Sequence, residues 1–216
     1  IISDGAGRQR VSFENGRLSY NGTLYDELLF DARTMSTMFA EPTFILYGVT
    51  IGVDFHWERK LTGKFAGSLK FIVEGDNVVA VNVIGVEDYL LSVISSEMKP
   101  TAPLEYLKAH AVISRTWVMK QIARRKDGSN AVQCPEDRVE DGILHIERWF
   151  DTNDHKAFDV CADDHCQRYQ GLTSAIGENA RKAVDETWGE VLEYEGSLCD
   201  ARFSKCCGGI TEEFGT

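Results

Sequence analysis

Basic charge is in deficit in this 216-residue chain: 23 lysines and arginines stand against 34 aspartates and glutamates, a net charge of −11 at neutral pH. That deficit argues against a nucleic-acid partner, because binding to a phosphate backbone rests on basic patches. The longest basic run, Arg124-Arg125-Lys126, suits a helix end, where cations complement the macrodipole. No apolar run reaches membrane-spanning length, so no transmembrane segment is expected. A signal peptide, an internal repeat and a low-complexity tract are absent as well. The chain opens Ile-Ile and stops at Thr216, just beyond a Gly-Gly motif; it reads as trimmed at both ends, with any export signal or anchor outside it. Cysteine is missing from the first 133 residues, and the six thiols stand at 134, 161, 166, 199, 206 and 207. Their crowding toward one end suggests local metal binding or a disulfide, not scattered core thiols.

The remaining composition, 43% hydrophobic and 26% charged, is that of a globular protein able to bury one large core or two small ones. Residues 1–33 mix short apolar runs with Asn15-Gly16 and Asn21-Gly22, which predict strands joined by tight hairpins. Phe44–Val53, Phe65–Val73 and Val78–Ile84 are β-rich, and Glu74-Gly75-Asp76-Asn77 predicts a turn between the last two. After Ile84 the period changes, predicting helices at about Glu87–Met98 and Leu104–Lys126. Residues 127–159 read as an irregular insertion. A helix from Ser174 to about Thr187 is expected, then a hairpin, Glu190–Tyr194 and Ser197–Ser204, turning at Glu195-Gly196. The expected class is α+β: a β-rich N-terminal subdomain at 1–82, then at 83–216 a central helical pair and a C-terminal β-hairpin region.

Each of the two helical segments carries one charge on an apolar face. Leu90, Val93, Ile94 and Glu97 fall at i, i+3, i+4 and i+7. In the second helix Arg115 points into the middle of Leu107, Ala111, Val118 and Ile122. A carboxyl so placed has its charged form disfavoured, the condition of a general acid at neutral pH. If Arg115 touched Glu97 it would oppose that effect, and the two would then equally make a buried structural ion pair.

A second constellation is His155, Cys161, His165 and Cys166, spaced H-x5-C-x3-H-C. Two thiolates and two imidazoles make a tetrahedral zinc set, closed and therefore structural; a Cys161–Cys166 disulfide with two surface histidines is the alternative. Near the end, Ala201–Glu213 places Ser204, Lys205 and Glu212 around the Gly208-Gly209 bend. Cys206 and Cys207 lack a Cys-His-Asn arrangement, and pairing of either with Cys199 is an open reading. Trp57, Trp117, Trp149 and Trp188 could stack sugars or simply fill cores.

Taken in order, four blocks resemble the SpoIID/LytB family of bacterial cell-wall proteins. Val83–Met98 is similar to the family's strand-then-helix block ending in Glu-Met, with Lys99 inserted here before Pro100. Leu104–Trp117, LEYLKAHAVISRTW, resembles the block leading to Ala-Arg-Thr-Tyr, with His110 for the usual Gln and Ser114 for the usual Ala. Asp159–Gly171 matches Cys-x3-His-Cys-Gln-x-Tyr-x-Gly, and Thr187–Glu212 matches the closing hairpin and Gly-Gly-x-Thr-Glu. In that last block Ser204 and Cys207 replace the family's usual His and second Ser.

The resemblance implies a lytic transglycosylase that cuts MurNAc–GlcNAc bonds in peptidoglycan strands stripped of stem peptides, outside the cytoplasm in the periplasm or cell wall. It implies Glu97 as the catalytic acid and Arg115 as a positioning or Glu-orienting residue. One group suffices for that reaction: it protonates the leaving oxygen, then as base assists attack by the sugar's own C6 hydroxyl. Ser114, Tyr169, Ser204, Lys205 and Glu212 are the expected substrate-binding positions. The resemblance also strengthens a structural Zn²⁺ held by His155, Cys161, His165 and Cys166. The alternative is a non-catalytic wall-binding protein that stimulates a partner amidase.

Overall fold

Asn-Gly turns shape the N-terminal part of the molecule. The computed structural model describes residues 2–3, 7–32, 42–52, 56, 58–99, 101–127, 138–140, 142–145, 157–162, 166–173 and 176–203. Two short strands, β1 (Ile2–Ser3) and β2 (Arg8–Gln9), come first. A meander follows, β3 (Ser12–Glu14), β4 (Arg17–Tyr20) and β5 (Thr23–Tyr25). Its turns hold φ of 51° and 79° at Asn15-Gly16, and 49° and 78° at Asn21-Gly22. Successive left-handed residues give the type I′ turn, whose twist suits paired strands, and Asn and Gly adopt them most easily.

Beyond the meander lie β6 (Leu28–Phe30), β7 (Phe44–Ile51), β8 (Arg59–Phe65), β9 (Ser68–Glu74) and β10 (Asn77–Val83). The pairings are antiparallel, in sheets ordered β2-β1-β7-β8 and β10-β9-β6 beside the meander. The single strand expected at Phe65–Val73 is two, because Gly67 takes φ +80° and turns the chain between β8 and β9. The strand over Arg59–Lys64 escaped the sequence reading because its only apolar side chains are Leu61 and, at its end, Phe65. Leu18, Phe44, Phe65, Leu69 and Phe71 fill the core among these sheets.

Gly85, extended at φ −68° and ψ 150°, starts α1 (Val86–Glu97). The helix stops where Met98 turns extended, two residues before Pro100, whose ring disfavours helical backbone at the residue before it. The long helix α2 (Leu104–Asp127) opens just after Pro103, whose carbonyl accepts the Leu107 N–H at 3.1 Å. A short pair, β11 (Arg138–Glu140) and β12 (Ile143–His145), is what the described residues show of the acidic insertion. Helix α3 (Glu178–Glu186) begins after Gly177, later than expected, and β13 (Glu193–Tyr194) and β14 (Ser197–Leu198) form a hairpin shorter than expected but turning at Glu195-Gly196. Leu90, Val93, Ile94, Leu107, Ala111, Ala180, Ala183 and Val184 are buried together where the three helices meet. The fold is α+β.

The two cores are stitched by one irregular segment, residues 166–173. Tyr169 packs against both clusters, stacking on Tyr89 with centroids 5.1 Å apart while its hydroxyl donates to Asn82 Oδ1 on β10. Leu172 N–H donates to the Lys64 carbonyl at 2.7 Å, and Lys64 N–H to Thr173 Oγ1 at 2.9 Å. Gly171 permits this approach: it holds φ +58°, and a Cβ there would sit 2.5 Å from the Lys64 carbonyl oxygen. Gly171→Ala should therefore lose about 1–3 kcal/mol from backbone strain alone, and more from the clash with β8. Denaturant unfolding measures this, and a loss under about 0.5 kcal/mol, the level of an ordinary surface change, would contradict it.

Candidate active site

Arg115 is buried as expected, only 2% exposed, but its partner is Glu87 and not Glu97. Its Nε donates to Glu87 Oε1 at 2.9 Å and its Nη2 to Glu87 Oε2 at 2.6 Å, a two-pronged pair. The third nitrogen, Nη1, donates to the Glu190 carbonyl at 3.0 Å, and Glu87 Oε1 also accepts the Gly189 N–H at 3.3 Å. One ion pair thus ties the start of α1, the middle of α2 and the turn after α3. Next to it, Thr116 Oγ1 accepts the Leu192 N–H at 2.9 Å, fixing the closing hairpin on α2.

The idea that Arg115 orients Glu97 is therefore corrected. Ten residues of helix separate Glu87 from Glu97, a rise of roughly 15 Å, and all three guanidinium nitrogens point toward the Glu87 end. Glu87 stands in the first turn of α1, where an acid is explained by the helix dipole alone. The signal that could have found it was present, since Glu87, Leu91 and Ile94 stand at i, i+4 and i+7, and the two aliphatics are 2% and 0% exposed.

Glu97 closes α1 at its C-terminal end and is half-buried. This is the negative end of the helix dipole, so a carboxylate there gains nothing from its own helix. It is met from outside instead: the Arg168 N–H donates to Glu97 Oε1 at 2.8 Å. Leu90, Val93 and Ile94, which share its stripe, are fully buried beneath it. The result is a carboxyl carried on a rigid helix, oriented by a backbone donor and partly open to solvent. Such a group can deliver and recover a proton at one place.

The other expected positions fall differently. Ser114 is fully buried on α2, its carbonyl accepting the Gln167 side-chain amide at 3.2 Å, so this core residue is out of reach of substrate. Tyr169 has its hydroxyl on Asn82 and its ring between Tyr89 and Phe65. Burial, and then the charge of Asp88, push its phenol well above the usual range, so it stays protonated. Tyr169 is also among the residues that line a small pocket, with Asp88, Leu91 and Arg181. Ser204, Lys205 and Glu212 lie outside the described residues, as do His155 and His165. Trp117 packs in the helical core, whereas Trp188 is 61% exposed on the turn after α3; Trp57 and Trp149 lie outside the described residues.

Of the expected zinc ligands, Cys161 and Cys166 are described, and both are half-buried. Both act on the Tyr89 phenol, which burial foremost, then Cys166, Tyr169, Cys161 and Glu97, raise well above its usual range. No group of three potential ligands is assembled among the described residues alone.

The family described as SpoIID, Stage II sporulation protein, matches residues 74–194, from the end of β9 to β13. An uncharacterized protein of Brachyspira hyodysenteriae is 32% identical over 149 residues, covering 69% of this chain and 33% of that protein. Stage II sporulation protein D of Bacillus subtilis is 26% identical over 133 residues, covering 62% of this chain and 35% of its own length. The chain thus spans about a third of the length of these curated relatives. No solved structure matches it.

Proposed function

The chain belongs to the SpoIID family of cell-wall-related sporulation proteins, and from that membership we propose that it is a lytic transglycosylase with Glu97 as its acid/base. The observation that carries the proposal is the placement of Glu97: a half-buried carboxyl at the end of α1, held by the Arg168 N–H at 2.8 Å. In the first half of the reaction Glu97 gives its proton to the glycosidic oxygen between MurNAc and GlcNAc. In the second the same carboxylate takes the proton of the MurNAc C6 hydroxyl as that oxygen closes on C1. One carboxyl therefore does what two do in ordinary glycoside hydrolysis, and no water enters the bond.

The substrate lies outside the cytoplasm, so the proposal places the protein there. Among the described residues no helix is long and apolar enough to cross a membrane. A structural zinc ion is part of the proposal, with Cys161 and Cys166 joined by His155 and His165 as ligands. Bound there, the ion would tie the segment before Tyr169 together and supply no open position for catalysis.

Incubation with peptidoglycan strands stripped of stem peptides tests the activity. Mass analysis should find fragments ending in 1,6-anhydro-MurNAc, each lighter by one water than a hydrolysis product. Replacement of the family's usual His and Ser by Ser204 and Cys207 favours a second reading, a wall-binding protein that stimulates an amidase. Strand binding without any anhydro fragment, together with a faster partner amidase, would decide for that reading.

A further inference from the structure

We propose that Gln167 is a positioning residue for Glu97, acting through the backbone N–H of Arg168; the proposal rests on the acid/base reading of Glu97. Residues 166–172 belong to no helix or ladder, so discrete bonds hold them in place. Along this segment, the Arg168 N–H reaches Glu97, the Gln170 N–H reaches Ser92 Oγ at 3.0 Å, and the Leu172 N–H reaches the Lys64 carbonyl at 2.7 Å. The first of these bonds fixes the carboxyl. What fixes the first bond is the residue directly before it.

The Gln167 side chain is 2% exposed and both ends of its amide are engaged. Its Oε1 accepts the Tyr89 hydroxyl of α1 at 3.0 Å, and its Nε2 donates to the Ser114 carbonyl of α2 at 3.2 Å. A carbonyl only accepts, so the amide nitrogen must face Ser114 and its oxygen must face Tyr89. Gln167 therefore locks the backbone to both helices one residue away from the donor that meets Glu97. Loss of the lock lets the Arg168 N–H, and with it the carboxyl, drift. Small misplacements of a reacting group are expensive in rate, with about 1 Å able to slow a reaction 100-fold.

The test compares Gln167→Ala, Tyr89→Phe and Leu18→Ala in the full chain. Leu18 is fully buried in the sheet core, far in sequence from the site, and serves as a control for lost stability. Three quantities are read: kcat and KM for anhydro-fragment release, the melting temperature, and hydrogen exchange at the Arg168 amide. Gln167→Ala should lower kcat roughly 10- to 100-fold with KM little changed, and should speed exchange at Arg168. Tyr89→Phe should move both in the same direction by less, and stands in should Gln167→Ala fail to fold. Leu18→Ala should melt lower but keep kcat. The proposal is overturned by a Gln167→Ala protein with the kcat of the control, or with Arg168 exchange unchanged. A wild-type protein that releases no anhydro fragment refutes the acid/base reading instead, and Arg168 exchange still decides whether Gln167 holds that amide.

Discussion

Glu97→Gln is expected to fold like the wild type and to release 1,6-anhydro fragments at least about 100-fold more slowly, with a loss up to about 10⁴-fold within the range of acid–base catalysis. The side chain keeps its length and shape, and its amide oxygen can still accept the Arg168 N–H that meets Glu97 Oε1 at 2.8 Å. It can no longer give or take a proton. Because one group serves both half-reactions, its loss stops departure of the leaving oxygen and activation of the C6 hydroxyl together. No second carboxylate is assigned to share the work. The measurement is single-turnover release from stripped strands beside a melting curve. Full activity in this variant would remove Glu97 from the chemistry, and strand binding at wild-type affinity would show that the substitution touched only the chemical step.

Arg115→Met carries the second large effect, and it falls on stability. Removing the guanidinium leaves Glu87, whose side chain is 11% exposed, as an unpaired charge in the core. Breaking such a pair from one side costs about 3–5 kcal/mol. For a chain of this size that corresponds to a melting point lower by roughly 6–20 °C. The double variant Glu87→Gln/Arg115→Met should recover part of the loss, since no bare charge remains. It should not recover all of it, because the Glu190 carbonyl loses the Arg115 Nη1 donor. The opposite pattern, unchanged melting with a large fall in kcat, would restore a direct catalytic role to Arg115.

These two residues mark how far the sequence could be read. Helical periodicity correctly put both on apolar faces, since face membership depends only on residues within a few positions of each other. It could not pair them, because partners are set by how helices dock. Glu87 satisfied the same spacing rule as Glu97, yet first-turn position offered a sufficient local explanation and hid it. Gln167 is a specified residue of the Cys-x3-His-Cys-Gln-x-Tyr-x-Gly block and Arg168 an unspecified one, yet the motif assigns neither a role. The useful donor there is a backbone N–H, and a backbone group leaves no mark on residue identity. Ser114 failed as a substrate contact for a related reason: adjacency to a motif arginine says nothing about which way a side chain faces once three helices pack around it.

By itself the sequence determined the α+β class, the type I′ turns at Asn15-Gly16 and Asn21-Gly22, both long helices to within a residue at each end, and the family. All of these follow from local periods, turn chemistry and ordered motifs, in which the governing interactions span few residues. The tertiary structure alone decided that Arg115 belongs to Glu87, that Gly171 lets the return segment touch β8, and that Glu97 is met by Arg168. Each of those contacts joins residues from 28 to 107 positions apart, and such distances close only when separate elements pack together.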